Sequence, residues 1–92
     1  MGYAVKICAF FKKCWSIIKK IWKALVKFAD VVQILKELVN QLNDKRNAIA
    51  VAVKDGKNIL ETVIQNGEMT TDSSRVVQAE QIAADVDNEF VL

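Results

Sequence analysis

The chain of 92 residues contains no histidine and no proline, only three glycines and only two cysteines. Without histidine the commonest general base near neutral pH is missing, and neither Cys8 nor Cys14 has a base to activate it. With no histidine and no second cysteine pair, a zinc-type metal site has no ligand set. Gly56 and Gly67 stand alone, so no glycine-rich loop can cradle a phosphate. Asp and Glu are read as solvated charges on exposed faces and in an acidic tail. These absences point to a non-enzymatic chain with no cofactor, no metal and no small-molecule substrate.

Long uncharged runs are missing too. No stretch approaches the ~18 apolar residues of a spanning helix. Lysines recur too often for a signal-peptide core, and no small-residue cleavage pattern follows. The expectation is therefore no transmembrane span and no cleavable signal peptide, with the chain membrane-associated or held in a larger assembly. Lys6 stands where a myristoylation signal needs Ser or Thr. Cys8 and Cys14 lie roughly 120° apart around a helix, too far to bridge within it. They read as small buried apolar residues, with palmitoylation as the alternative.

What is present is apolar surface and segregated charge. The chain is 52% hydrophobic, more than so short a chain readily buries alone, so part should face another copy, another protein or lipid. The formal net charge is only +2. Yet Lys6, Lys12, Lys13, Lys19, Lys20, Lys23 and Lys27 all precede the first acid, Asp30. Towards the other end Glu68, Asp72, Glu80, Asp85, Asp87 and Glu89 face only Arg75. A basic start suggests an anionic surface as partner; otherwise the two ends neutralise each other between copies.

Written in sevens, the first part sorts into columns. One reads Ile7, Cys14, Ile21, Phe28, Leu35, Leu42; a second Phe10, Ile17, Ala24, Val31, Leu38; a third Phe11, Ile18, Leu25, Val32, Val39. These are a, d and e positions and predict one amphipathic helix from Tyr3 to Asn43. Lysines edge its apolar arc, and Cys8, Trp15 and Trp22 widen it. The expected fold is all-α, in three parts. Residues 1–43 form the long lysine-edged helix, 44–67 a hinge and second helix, and 68–92 a linker and short acidic C-terminal helix. The arrangement is extended or hairpin-like, and oligomeric.

The polar cluster Asn43–Asn47 supplies the hinge. The second helix draws on Ile49, Ala52, Val53, Ile59, Leu60, Val63 and Ile64, although the alternation Ile49, Val51, Val53 before Asp55-Gly56 also allows a hairpin. Asn66-Gly67 suits a left-handed helix terminus. Asp72 or Ser73 caps the third helix, whose face carries Val76, Ala79, Ala83, Val86 and Phe90.

Function follows from the long helix. Phe10, Phe11, Trp15, Ile18, Trp22 and Leu25 are the candidate contacts to a membrane or partner. The seven lysines from Lys6 to Lys27 are the candidate contacts to an anionic surface, each contributing about 1 kcal/mol there. The expectation is a self-assembling helical protein, a homo-oligomer, that engages a membrane surface or forms a pore, as a virion, secretion or toxin-like component would. The alternative is a purely structural bundle or coiled-coil module of a larger complex such as a phage particle or pilus. A further alternative is charge-driven packaging of nucleic acid, disfavoured because the aromatics sit inside the apolar arc rather than among the lysines. Phe90, Val91 and Leu92 offer a weaker signal: an apolar C-terminus that a partner captures as an added strand.

Overall fold

A segment buried on both sides has no polar face to alternate with, so it reads as an unbroken apolar run. Ile59 to Ile64 departs from that only at Glu61 and Thr62, and it lies at the centre of a sheet. In the computed structural model, which describes residues 2–92, the chain runs α1 (Ala4–Lys13), β1 (Lys19–Val26), α2 (Phe28–Asn40), β2 (Ala48–Asp55), β3 (Asn58–Gln65), β4 (Ser74–Ile82) and β5 (Glu89–Val91). The five strands form one sheet in the order β1-β4-β3-β2-β5. Only β1 and β4 are parallel; the other pairs are antiparallel.

The two helices cover opposite faces of the same pair of strands, β2 and β3. On one face Val31, Ile34, Leu35 and Leu38 of α2 pack on Ala50, Ala52, Ile59, Val63 and Val77. On the other, Ile7 and Phe11 of α1 pack with Ile18 on Val51, Val53, Leu60, Ile64 and Val76. Strand alternation divides β3 between these two cores, which is why six consecutive residues from Ile59 to Ile64 are all buried.

This mixed α/β architecture overturns the expected all-α fold, and the coiled-coil reading with it. The heptad columns thread unrelated places. Ile7 and Leu35 are core residues of different helices on opposite faces, Cys14 lies in a turn, and Ile21 is in a strand. The helix from Tyr3 to Asn43 is in fact helix, turn, strand and helix. Between Cys14 and Val26 the β-branched and aromatic residues Ile17, Ile18, Ile21, Trp22 and Val26 favour extended backbone, and pairing with β4 settles it. The expected second helix is the β2–β3 hairpin, and the expected acidic third helix is β4 and β5. Phe90 and Val91 do add as a strand, but to the chain's own β2.

The punctuation signals mark real breaks. Asn43–Asn47 separates α2 from β2. Asp55 pairs with Asn58 across a two-residue turn whose first central residue, Gly56, has φ +61°, where only glycine is unstrained. Asn66 and Gly67 have φ +53° and +80°, closing a turn in which Gln65 and Glu68 exchange backbone hydrogen bonds of 2.9 and 3.0 Å. The left-handed backbone foreseen there ends a strand instead of a helix.

The acidic C-terminal segment secures both helices by their N-termini. Glu89 Oε1 accepts hydrogen bonds from the backbone N–H of Tyr3 (2.9 Å) and Ala4 (3.1 Å) at the start of α1. Asp85 Oδ1 accepts from the N–H of Phe28 (3.3 Å) at the start of α2, and Asp30 Oδ2 accepts from that of Lys27 (2.9 Å). Each carboxylate meets otherwise unpaired donors at the positive end of a helix dipole. Gly2 leaves room for the Glu89 carboxylate, since a Cβ there would collide with it. Phe90 packs edge-on against Phe28, with ring centroids 4.8 Å apart, and fastens the same junction.

Candidate functional site

Both helices lie over β2 and β3, so β1 stands out from the molecule. Among the described residues its outer edge pairs with no strand; Val26 at its end is buried in the core under α2, and α2 borders Lys19, Ile21 and Lys23, while the opposite face leaves Trp22 open. The strand KKIWKALV carries its charges and apolar groups on both sides. Lys19, Ile21 and Lys23 share the face of α2, whose Ile34 and Glu37 border them. Lys20, Trp22 and Ala24 share the face of α1. Trp22 is 66% exposed and Leu25 43%.

The turn between α1 and β1 continues this surface. Ile17 is 68% exposed and Trp15 37%, while Lys12 and Lys13 end α1 beside them. Lys20 organises the turn. Its Nζ lies 4.9 Å from the Trp15 ring centroid and donates to the carbonyls of Trp15 and of Ile18 (3.3 Å). The ammonium thereby satisfies the turn's free carbonyls and fixes the indole by a cation–π contact.

The sequence-derived contact residues divide. Phe11 and Ile18 are core, Phe11 reaching outward only as the floor of a groove beside α1; Phe10 is half-buried, edge-on to Phe11. Trp15, Trp22 and Leu25 are exposed, as are Lys12, Lys13, Lys19 and Lys27. Lys23 is half-buried on β1. Lys6 donates to the carbonyl of Gly67 (3.1 Å), far along the chain from the others. Ile17 was expected to lie in the apolar stripe of the long helix and is instead among the most exposed apolar residues.

Two further places escape a reading by pattern. One is a groove beside α1, with a volume of ≈ 590 Å³, where Cys8, Phe11, Lys12 and Trp15 face Asp55, Asn58 and Leu60. Burial, and then the charge of Asp55, push the Cys8 thiol up from its ordinary value, while Lys12 acts in the opposite sense; the thiol is protonated and weakly nucleophilic. The other is Glu61 on β3, fully buried, with neither carboxylate oxygen hydrogen-bonded. Burial first, and then the charge of Glu37, push its pKa up to about 9.

Comparison with known proteins finds no matching family model, no matching curated protein and no matching solved structure. Among the described residues no cluster of His, Cys, Asp or Glu could hold a metal ion, and no helix is long and apolar enough to cross a membrane.

Proposed function

We propose that this chain is a non-enzymatic module that adsorbs edge-on to an anionic membrane surface through β1 and the turn before it. The observation that carries the reading is the sheet's edge itself: Ile17, Trp22 and Leu25 lie exposed among Lys12, Lys13, Lys19, Lys23 and Lys27 on the edge strand and the segment around it. Tryptophan beside lysine suits a membrane boundary, where the ring meets the acyl region and the ammonium groups meet phosphates. Two acids of the C-terminal segment, Asp85 and Glu89, are engaged at helix N-termini, which leaves less negative charge to neutralise the lysines between copies. The pore reading rested on the long helix, which the fold does not contain, and draws no support from β1.

Co-sedimentation with vesicles of phosphatidylglycerol and of phosphatidylcholine tests the proposal. The protein should bind the anionic vesicles and be released by salt. Lys19→Gln with Lys23→Gln should weaken binding about 30-fold, from about 1 kcal/mol for each lysine. Trp22→Ser with Leu25→Ser should weaken it at every salt concentration. Binding unchanged by either pair of substitutions would end the membrane reading.

One observation favours a second reading, in which the chain is an assembly module. The outer edge of β1 presents unpaired backbone N–H and C=O groups, and an extended segment of a partner or of a second copy could add there. Four lysines at or near that edge oppose symmetric self-pairing, so this reading needs an acidic partner. Sedimentation of the protein alone at low and high salt separates the two: a monomer under both conditions removes self-assembly.

A further inference from the structure

The groove beside α1 is built from two elements that face each other across it. Cys8, Phe11, Lys12 and Trp15 follow one another at helical spacing along one side of α1 and the turn after it. Opposite them Asp55 and Asn58, directly paired, close the hairpin end of β2 and β3, with Leu60 one strand alternation deeper. Phe11 and Leu60 belong to the core and close the floor. Trp15 forms a wall held in place by Lys20, so that side is organised before any ligand arrives. The volume of ≈ 590 Å³ lies within the ~300–1,000 Å³ usual for small-molecule sites.

The charges lining the groove choose the occupant. Lys12 and Asp55 border the same space with opposite signs, and neither is in an ion pair; the ion pair among the described residues is Arg46–Asp44. An anionic amphiphile would satisfy Lys12 and be repelled by Asp55, and a cationic one would meet the reverse. A zwitterionic head matches both. We infer that this groove binds a single-chain zwitterionic amphiphile, its phosphate at Lys12, its ammonium at Asp55 and its hydrocarbon chain against Phe11, Trp15 and Leu60. Asn58 offers the headgroup an amide hydrogen bond between the two charges.

The inference rests on the membrane reading for the source of its ligand. The row Trp22, Gln78, Asn58, Asp55 runs across β1, β4, β3 and β2 on the face that carries the groove. Edge-on adsorption through Trp22 would therefore set the groove next to the lipid surface. A lysophospholipid is the ligand of matching chemistry.

The test uses the full chain with Trp22→Phe, which leaves Trp15 as the one tryptophan reporter and lies outside the groove. Dodecylphosphocholine, dodecyl sulfate and dodecyltrimethylammonium are titrated separately, each below its critical micelle concentration. The zwitterion should give a saturable, one-to-one change in Trp15 emission at concentrations at least tenfold below the other two. Asp55→Asn, which keeps a turn-forming residue before Gly56, should weaken the zwitterion about tenfold and strengthen dodecyl sulfate. Lys12→Gln should weaken the zwitterion and strengthen the cation, and circular dichroism checks that each variant is folded. Equal binding of all three amphiphiles, no saturable change with any, or no effect of either substitution would overturn the inference. Lys19→Gln with Lys23→Gln separates the two proposals: vesicle binding lost with monomer binding intact is the result expected if both hold. Monomer binding with no vesicle binding by the parent protein removes the membrane reading alone, and the reverse removes the groove alone.

Discussion

Replacing Glu61 by methionine should make the protein more stable at neutral pH and remove most of the pH dependence of its stability. Glu61 lies under α2, fully buried, and neither carboxylate oxygen has a hydrogen-bond partner. Its neighbour across the sheet is Arg75, but that guanidinium donates to the carbonyls of Asp72 and Ser74 and to Gln41, leaving Glu61 alone. The charge that acts on it, Glu37 on α2, is of the same sign. The carboxyl therefore keeps its proton in the folded chain until about pH 9, while in the unfolded chain it ionises from its ordinary value of 4.5. An acid whose pKa is raised by folding contributes fully below the unfolded value and loses that contribution as pH rises towards the folded value. Stability should thus fall between about pH 4.5 and 9, by about 1.4 kcal/mol per unit, or roughly 3 kcal/mol by pH 7. Set against the ~5–15 kcal/mol of a typical domain, that is a large share.

Methionine has nearly the same length, no charge and no unpaired oxygen. The gain from Glu61→Met should be about 3 kcal/mol larger at pH 7 than at pH 4.5. Glu61→Gln should flatten the profile equally but gain less, because a buried amide without partners replaces the acid. Urea unfolding of the three proteins at pH 5, 6, 7 and 8 reads the difference. A wild-type profile that is flat over this range would refute the reasoning; it would mean that Arg75 turns inward and neutralises Glu61. A destabilised Glu61→Met variant would refute it as well.

Gly56→Ala places a side chain at φ +61° and should cost about 1–2 kcal/mol in urea unfolding, although nothing would touch the added Cβ. Glu89→Ala removes the acceptor from the first N–H groups of α1 and should cost about 0.5–2 kcal/mol, with hydrogen exchange accelerated at Tyr3 and Ala4 before anywhere else. In a Cys14→Ser background, Asp55→Asn should speed alkylation of Cys8 at pH 8, because one of the charges that holds the thiol protonated is gone. An unchanged rate would show that burial alone protects the sulfur.

Turns were legible in the sequence, and so in part was the β2–β3 hairpin, which the alternation Ile49, Val51, Val53 before Asp55-Gly56 allowed; β1 and the interior of β3 were not, for a reason visible in each. A strand announces itself by alternation only when one face is buried and the other wet. β3 is buried on both faces by two different helices, so Ile59-Leu60 and Val63-Ile64 fall in adjacent pairs around Glu61-Thr62 and show no period of two. β1 is a partly exposed edge strand, and its lysines and apolar residues fall on either side in pairs: Lys19-Lys20, Ile21-Trp22, Leu25-Val26. Pairs at that spacing mimic the edge and face of an amphipathic helix, and with the genuine helices on either side they prolong its heptads. Gly56, Asn66 and Gly67 escaped this ambiguity because left-handed backbone is a property of the single residue. Of the candidate site, the exposed Trp22 and Leu25 and the lysines could be named from the pattern. The groove could not, because Asp55 and Asn58 reach α1 only through the hairpin, and Glu61 could not, because its isolation depends on where Arg75 points.

The bonds from Glu89 to Tyr3 and Ala4 also bear on the order in which the molecule comes together. They join positions up to 86 residues apart, and β1 has no strand to pair with until β4 has been made. The helices and the β2–β3 hairpin can form from neighbouring residues, whereas β1 must wait for a partner far along the chain. During that wait the segment from Trp15 to Val26 is an unpaired strand with two tryptophans and a row of lysines, open to whatever anionic surface lies near the site of synthesis. On the membrane proposal, late pairing of β1 and adhesion have one origin, and a surface that captures the segment early would compete with β4 for it.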